Sequence, residues 1–271
     1  MFDPFVISGI GAHTGAPARV TVEPGEPDTG IVFVVDGVSI PARPEYLVQT
    51  AKRRTVLRRD DVSINTVEHF LAAATALRVT DLRATISGPE LPILDGSAGP
   101  WLSAFPKALR RRGLGLRPFL AREERPLELR VGDAVAAVVP VPRESDACID
   151  VTLDLSAIGR PPMHHCFYPA SDPMASIASA RTFAFAHEVE ALRAAGLAAG
   201  GSLENAVVLD RDGVLNPEGL RFVNEPARHK VLDAVGDLFL LGALPRARIR
   251  LIRPGHRLNL EIVRRLSALL G

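Results

Sequence analysis

Three short segments carry residue types able to share one metal ion. The first, RHKVLDAVGDLF at 228–239, spaces His229, Asp233 and Asp237 at i, i+4 and i+8. On a helix each four-residue step rotates by about 40°, so His229 and Asp233 share a face and Asp237 lies farther round. An imidazole nitrogen and a carboxylate oxygen one turn apart both suit zinc. A solvated polar face with a His–Asp pair explains the same spacing, and HxxxD alone favours that plainer explanation. The second segment is Glu68-His69, at the start of another helical run. Taken alone, Glu68 is a capping residue and His69 a partly buried surface histidine. Together the two segments supply what each lacks. A catalytic zinc commonly takes three protein ligands and keeps a fourth position for water. His229 and Asp233 give two ligands and His69 the third, and Glu68 becomes a general base for the water. The third segment is Pro254-Gly255-His256, after a strand-like run. A histidine in such a loop is placed to act as general acid, with Asp237 able to hold its imidazole; by itself a turn histidine is the simpler account.

The remaining histidines, His13, His164, His165 and His187, have no carboxylate at ligand spacing and read as structural or exposed. His164-His165-Cys166 looks metal-like, but neighbours on a strand point to opposite faces. Gly9-Ile10-Gly11 lacks the third glycine of a dinucleotide loop, since position 14 is Thr, and no βαβ unit follows. Neither GxxxxGK[ST] nor GxSxG occurs, so a P-loop NTPase or an α/β-hydrolase is not supported.

The elements that must position these residues are legible in outline. Val20–Val22, Ile31–Val35 and Leu82–Ile86 read as strands. Residues 65–77 read as a helix, with Asn65 as N-cap and Glu68 closing a capping box. A turn-rich stretch, PELPILDGSAGPW, leads into a helix near 100–112. A basic connector, RRRGLGLRPF, sets the domain boundary at about 115. Beyond it, 127–141 and 147–155 read as strands, 173–180 as a short helix, and 187–195 as a helix ended by Gly196. A strand at 206–209, a long helix at 225–241, a strand at 248–252 and a last helix at 258–270 complete the chain. RATI at 83–86 and RARI at 246–249 each follow a His-bearing helix, a faint echo of two similar α+β units.

The net charge of +1 excludes a bulk polybasic nucleic-acid binder, and 5% aromatic residues leave little for stacking on single strands. Apolar residues at 47% and charged residues at 23% are an ordinary globular mix. Cys148 and Cys166 cannot form a disulfide framework, which points to a reducing compartment. No basic leader with a long apolar run opens the sequence and no stretch approaches a membrane span, so a soluble cytoplasmic protein is expected. Lysine occurs three times, at 52, 107 and 230.

The ordered segments GIGAHTG (9–15), INTVEHFLAA (64–73), LPILDGSAGPW (91–101), ARTFAF (180–185), GLAAGGSLENAVV (196–208), LRFVNEPARHKVLDAVGDLF (220–239) and PGHRLN (254–259) resemble the UDP-3-O-acyl-N-acetylglucosamine deacetylases, zinc amidases of lipid A synthesis. The resemblance covers nearly the whole chain. It implies an α+β fold of two domains of like topology, 1–115 and 116–271, each a small sheet layered against helices with a short insert, and an active site between them. It implies one zinc per chain on His69, His229 and Asp233, Glu68 as base, and His256 as charged partner and acid oriented by Asp237. It implies Thr182 as oxyanion stabiliser, and Lys230 and Arg253 toward the nucleotide-sugar phosphates, with Phe183 and Gly255 also against substrate. An insert at about 183–209 would form an acyl-chain passage lined by Val189, Ala198, Leu203 and Val207. On residue grounds alone tight backbone packing is the better account of the glycines at 196–201, and the resemblance reverses that order.

The pattern departs from the family at four places. The residue before His13 is Ala where Leu is usual, residue 253 is Arg where Lys is common, 155–168 is short, and Asn205 stands where an apolar or small residue is usual. The expected partner is the small-molecule nucleotide sugar, with no nucleic acid, no stable membrane insertion and a monomeric chain. Two alternatives fit the same residues: a paralogue acting on another N-acyl amino sugar, and a catalytically silent nucleotide-sugar binder. Silence is disfavoured because a binding module has no need of Glu68, His69, His229, Asp233 and His256 together.

Overall fold

The computed structural model describes residues 2–106, 116–117 and 126–270. In chain order the first elements are β1 (Phe5–Ile10), β2 (Pro17–Pro24), β3 (Ile31–Val35), β4 (Val38–Pro41), β5 (Val56–Arg59), β6 (Val62–Asn65), α1 (Glu68–Leu77), β7 (Leu82–Ser87) and α2 (Gly99–Ala104). There follow β8 (Leu116–Arg117), β9 (Leu127–Val131), β10 (Ala134–Pro140), β11 (Cys148–Leu153), β12 (Met163–Phe167), α3 (Ala175–Ala178), β13 (Phe183–Phe185), α4 (Val189–Ala194), β14 (Val207–Asp210) and β15 (Gly213–Val214). The chain ends with α5 (Glu225–Leu238), β16 (Leu244–Pro245), β17 (Ala247–Ile252) and α6 (His256–Leu270). Among the described residues no helix is long and apolar enough to cross a membrane.

Two five-stranded sheets carry the same topology. The first runs β1-β2-β7-β3-β4 and the second β9-β10-β17-β11-β12. In each, two antiparallel hairpins flank a central strand that arrives last. That strand is parallel to one hairpin, as β7 to β3 and β17 to β11. In each, a helix (α1 or α5) precedes the central strand. The RATI and RARI echo falls on the equivalent strands β7 and β17. Each copy has its own insert, the β5–β6 hairpin in one and the β13-β14-β15 sheet in the other. The boundary expected at 115 lies outside the described residues, and the helix expected near 100–112 ends already at Ala104, where Phe105 turns extended ahead of Pro106.

Alternation explains why each sheet buries one face. Leu82, Ala84 and Ile86 of β7 point inward while Arg83, Thr85 and Ser87 point out. Ala247, Ile249 and Leu251 of β17 repeat the pattern against Arg248 and Arg250. All ten residues of α1 are buried, as its run of alanines without a charge after Glu68 requires. Its Phe70 ring meets Phe33 of β3 at 5.5 Å. Helix α5 rests on β11 and β12 and packs against α1 on its other side. The order through the molecule is therefore sheet, α1, α5, sheet.

The two helices approach backbone to backbone. A Cβ on Gly236 of α5 would stand 2.0 Å from the carbonyl oxygen of Glu68, a separation only glycine permits. Two sequence expectations change here. Asn65 is no N-cap: it ends β6 and its side chain bonds Arg54 and the carbonyl of Pro89. Helix α1 begins at Glu68 with no side-chain cap, because the Glu68 carboxylate turns inward. The run 127–141 is split by Gly132-Asp133 into the hairpin β9–β10. Gly236→Ala is expected to cost about 1–3 kcal/mol by overpacking, read as a lower urea midpoint; an unchanged midpoint would mean the helices separate freely.

Candidate active site

Helix α1 delivers Glu68 and His69 from its first turn, α5 delivers His229, Asp233 and Asp237, and α6 delivers His256 as its first residue. All six are buried. The loop expected for His256 is thus only Pro254-Gly255, and the helix starts two residues earlier than the apolar pattern suggested. The rings of His69 and His229 stand edge to face, 5.1 Å between centroids. One ligand atom each from His69, His229 and Asp233 lie within 4.8 Å of one another, the one such group among the described residues. His229 Nε2 is 3.2 Å and His69 Nε2 3.8 Å from Asp233 Oδ1. That oxygen is nevertheless buried without a hydrogen-bond donor.

An orphaned carboxylate oxygen facing two buried imidazoles is what a cation would satisfy. The donors agree with it. His229 Nδ1 lies 3.0 Å from the carbonyl of Ala180 and donates to it, which turns Nε2 toward the cluster. Burial, with His229 beside it, lowers His69 to about 3, keeping that ring neutral. Burial alone would raise Asp233, but His229, Lys230 and His256 outweigh it and hold the carboxyl well below the usual range. Lys230 Nζ caps the other oxygen, Oδ2, at 2.6 Å and stands 5.2 Å from the Phe183 ring centre. The residues therefore fit a metal ion.

Beside this cluster sit a carboxyl and an imidazole whose proton affinities are both raised. Burial pushes Glu68 up to about 8 against the pull of His256. Burial would lower His256, but Asp237, Glu68 and Asp233 overcome it and raise the imidazole to about 9. His256 Nε2 is 3.6 Å from Glu68 Oε1, and Nδ1 is 3.0 Å from Asp237 Oδ2. Asn259, one turn along α6, donates to the same Oδ2 at 2.9 Å. The backbone N–H of Thr55 donates to Glu68 Oε2 at 3.1 Å.

A cavity of about 660 Å³ opens on these groups. Thr182 and Phe183 line it, and Thr182 is fixed by its N–H to Gly96 O at 2.7 Å and its carbonyl to Val207 N at 2.8 Å. Arg181, buried, pairs with buried Glu225 at the start of α5 through its Nε and backbone N–H, both 2.9 Å, which sets Ala180 and Thr182 against that helix. One wall is apolar: Phe185, Ala191, Leu192, Ala195, Leu197 and Ala198. Lys52, Arg53, Lys230 and Arg257 bring positive charge to it. Arg53 is paired with Glu188 at 2.9 Å.

Several expected contacts move. Ala198 and Gly255 line the cavity, but Val189, Leu203 and Val207 do not. On α4 and the turn before it, Glu188, Ala191, Leu192 and Ala195 share the cavity face at i, i+3, i+4 and i+7, which turns Val189 away. Val207 is the inward residue of β14, and Leu203 is exposed. Arg253 is tied to Asp154 at 2.8 Å and does not line the cavity; Arg257, the second residue of α6, does. The glycine-rich turn serves both readings. Leu197, Ala198 and Gly201 face the cavity, while a Cβ on Gly200 would lie 2.2 Å from Gly11 O.

His13, read as structural or exposed, lines the cavity, and burial lowers it to about 4. Its loop is held by Glu90, a buried carboxylate that no motif announced. Glu90 accepts from the N–H groups of His13 and Thr14 at 3.1 and 2.8 Å and from the hydroxyls of Thr14 and Thr66 at 2.8 and 2.6 Å. His164 lies across the strands from Asp150 and bonds it, and His187 stacks on Phe185. Asn205 is polar because its amide binds Gly200 O and Ser202 N at 2.9 Å each, closing the glycine-rich turn.

Two matched sheet-and-helix units meeting over a buried cluster of carboxyl and imidazole groups fit a hydrolase with a candidate metal centre. The chain belongs to the UDP-3-O-acyl N-acetylglycosamine deacetylase family, whose sequence profile matches residues 2–268. It is 41% identical over 270 residues to the UDP-3-O-acyl-N-acetylglucosamine deacetylase of Syntrophotalea carbinolica, covering 98% of this chain and 86% of that protein. The enzyme of the same name from Phenylobacterium zucineum is 42% identical, with 98% and 91% covered. That from Myxococcus xanthus is 39% identical, with 97% and 83% covered. The chain is a deacetylase of this family.

The Glu90 network yields a pH-dependent expectation. Burial raises the Glu90 pKa, but the bonds from Thr66, Thr14 and His13 outweigh it and bring it below 4.5. A depressed carboxyl stabilises the fold above its unfolded pKa and loses that contribution as pH falls through the folded value. Glu90→Gln should therefore cost about 1–3 kcal/mol at pH 7, with the gap to the parent closing below about pH 4.5. Urea unfolding across pH checks this; a gap that widens in acid would contradict it.

Proposed function

We propose that the chain hydrolyses the 2-acetamido group of a UDP-3-O-acyl-N-acetylglucosamine, releasing acetate, in the cytoplasmic branch of lipid A synthesis, with one zinc ion held by His69, His229 and Asp233. The observation that carries the reading is the donorless Asp233 Oδ1 facing the imidazoles of His69 and His229, beside Glu68 and His256 on one cavity. When bound, zinc polarises the amide carbonyl and makes water acidic enough to attack near neutral pH.

The chain's own groups do the rest. Glu68, in its ionised form a stronger base than a free carboxylate because burial raises its proton affinity, takes the proton of the attacking water. Thr182 donates its hydroxyl to the oxyanion of the tetrahedral intermediate. His256, charged at neutral pH and braced by Asp237, protonates the departing sugar nitrogen. Lys230 neutralises Asp233 and, with Lys52 and Arg257, offers positive charge to the diphosphate. Phe185, Leu192, Leu197 and Ala198 offer a dry wall to the acyl chain.

Assay with the acylated UDP-sugar, joined to metal analysis, tests the assignment. Glu68→Gln should keep one zinc and lose on the order of 10²–10⁴-fold in kcat. His256→Ala should lose a similar factor together with the alkaline limb. The raised pKa of His256 keeps its proton present below about 9 and lost above. A full-rate Glu68→Gln enzyme, or stoichiometric zinc in a His69→Ala, His229→Ala double variant, would overturn the respective role.

The apolar wall has its own test. Each buried methylene is worth about 0.8 kcal/mol, so displacing three costs on the order of 50-fold in kcat/KM. Ala198→Trp should impose that loss on the acylated substrate and leave the slow turnover of a non-acylated analogue nearly unchanged. Equal slowing of both would make the wall packing only.

A further inference from the structure

We propose that Thr55 is a positioning residue whose hydroxyl locks the Asp237–His256 pair across the domain junction, an inference that rests on the reading of Glu68 and His256 as base and acid. Thr55 precedes β5, in the insert of the first unit, and is fully buried. Its main chain is committed to that unit: its carbonyl accepts from Thr66 N–H at 2.9 Å and its N–H donates to Glu68 Oε2 at 3.1 Å. Its side chain is committed to the other unit. Oγ1 donates to Asp237 Oδ1 at 2.5 Å and lies 3.2 Å from His256 Nδ1.

The proton positions follow from the partners. His256 Nδ1 faces Asp237 Oδ2 at 3.0 Å, and a carboxylate only accepts, so Nδ1 carries the hydrogen. That hydrogen is shared between Oδ2 and the Thr55 oxygen, whose own hydrogen goes to Oδ1. The hydroxyl is thus donor and acceptor at once. It closes a three-membered ring of contacts that fixes the imidazole plane and aims Nε2 toward Glu68 and Asp233, 3.6 and 3.7 Å away. Serine can do both jobs, valine neither, and both fit the volume. Because the Thr55 N–H also orients Glu68, one residue sets acid and base in a common frame.

The test compares Thr55→Val and Thr55→Ser in the zinc-loaded full chain, with Glu68→Gln alongside. Removing an outer partner of a catalytic group costs about 10–100-fold in activity. Thr55→Val should lose that factor in kcat with KM within about twofold of the parent, and keep one zinc and a cooperative unfolding transition. Thr55→Ser should recover to within about threefold of the parent. A Thr55→Val enzyme at the parent kcat, or a Thr55→Ser enzyme as slow as Thr55→Val, would overturn the inference. If Thr55→Val does not fold, Thr55→Cys replaces it, its thiol being a weak donor and weak acceptor: an intermediate kcat at parental KM supports the lock, and full activity refutes it. A fully active Glu68→Gln enzyme would instead remove the reading of the site on which the lock depends.

Discussion

Everything in the site depends on how closely α1 and α5 approach. The candidate ligands and the proposed base come from different units and have no covalent reason to converge. The carbonyl of Glu68 rests where any side chain at 236 would stand, and this contact brings His69 to 5.1 Å from His229. It also buries Glu68 and thereby raises its basicity. Geometry and proton affinity are set by one backbone contact, so neither can be altered there alone.

The electrostatics follow from burial on both helices. Six ionisable groups, Glu68, His69, His229, Asp233, Asp237 and His256, are buried together at the head of one cavity. Such a group survives only if each charge has an answering one. His256 answers Asp237, Lys230 answers one oxygen of Asp233, and the other oxygen is left for a cation. Hydroxyl and amide donors from Thr55 and Asn259 saturate Asp237. The arrangement leaves two groups able to move protons, one deprived of solvent and one over-supplied with negative neighbours.

Much of this was legible before the structure. The i, i+4 spacing of His229 and Asp233 and the adjacency of Glu68 and His69 follow helical arithmetic, and both helices form. The α+β class and the paired units follow from the alternation of strand and helix patterns. What could not be read was long-range. Thr55 sits in an unremarkable basic run, and only the fold carries it to Asp237, 182 residues away. Glu90 looks like a turn residue until His13 and Thr66 close round it. Asn65 and Glu68 have the right letters for a capping box, but tertiary partners claimed both side chains. Of the expected cavity wall, Ala198 holds its place, while Leu203 and Val207 fall elsewhere and Val189 is turned away by helix phase across 188–195, which a glycine-rich segment does not reveal.

The shared topology of the two units also has a consequence for direction. Aligned on their histidines, α1 and α5 would read alike if the halves were identical, with His69 matching His229. A perfectly matched pair could grip an ion but would present the same face to both sides of it, and hydrolysis has two unlike sides, one where a proton leaves and one where a proton arrives. The mismatches supply that polarity. Glu68 precedes one histidine where Arg228 precedes the other; Ala73 and Leu77 stand where the second helix has Asp233 and Asp237. The repeat builds a symmetric cradle, and three unlike positions would give the proposed reaction its front and its back.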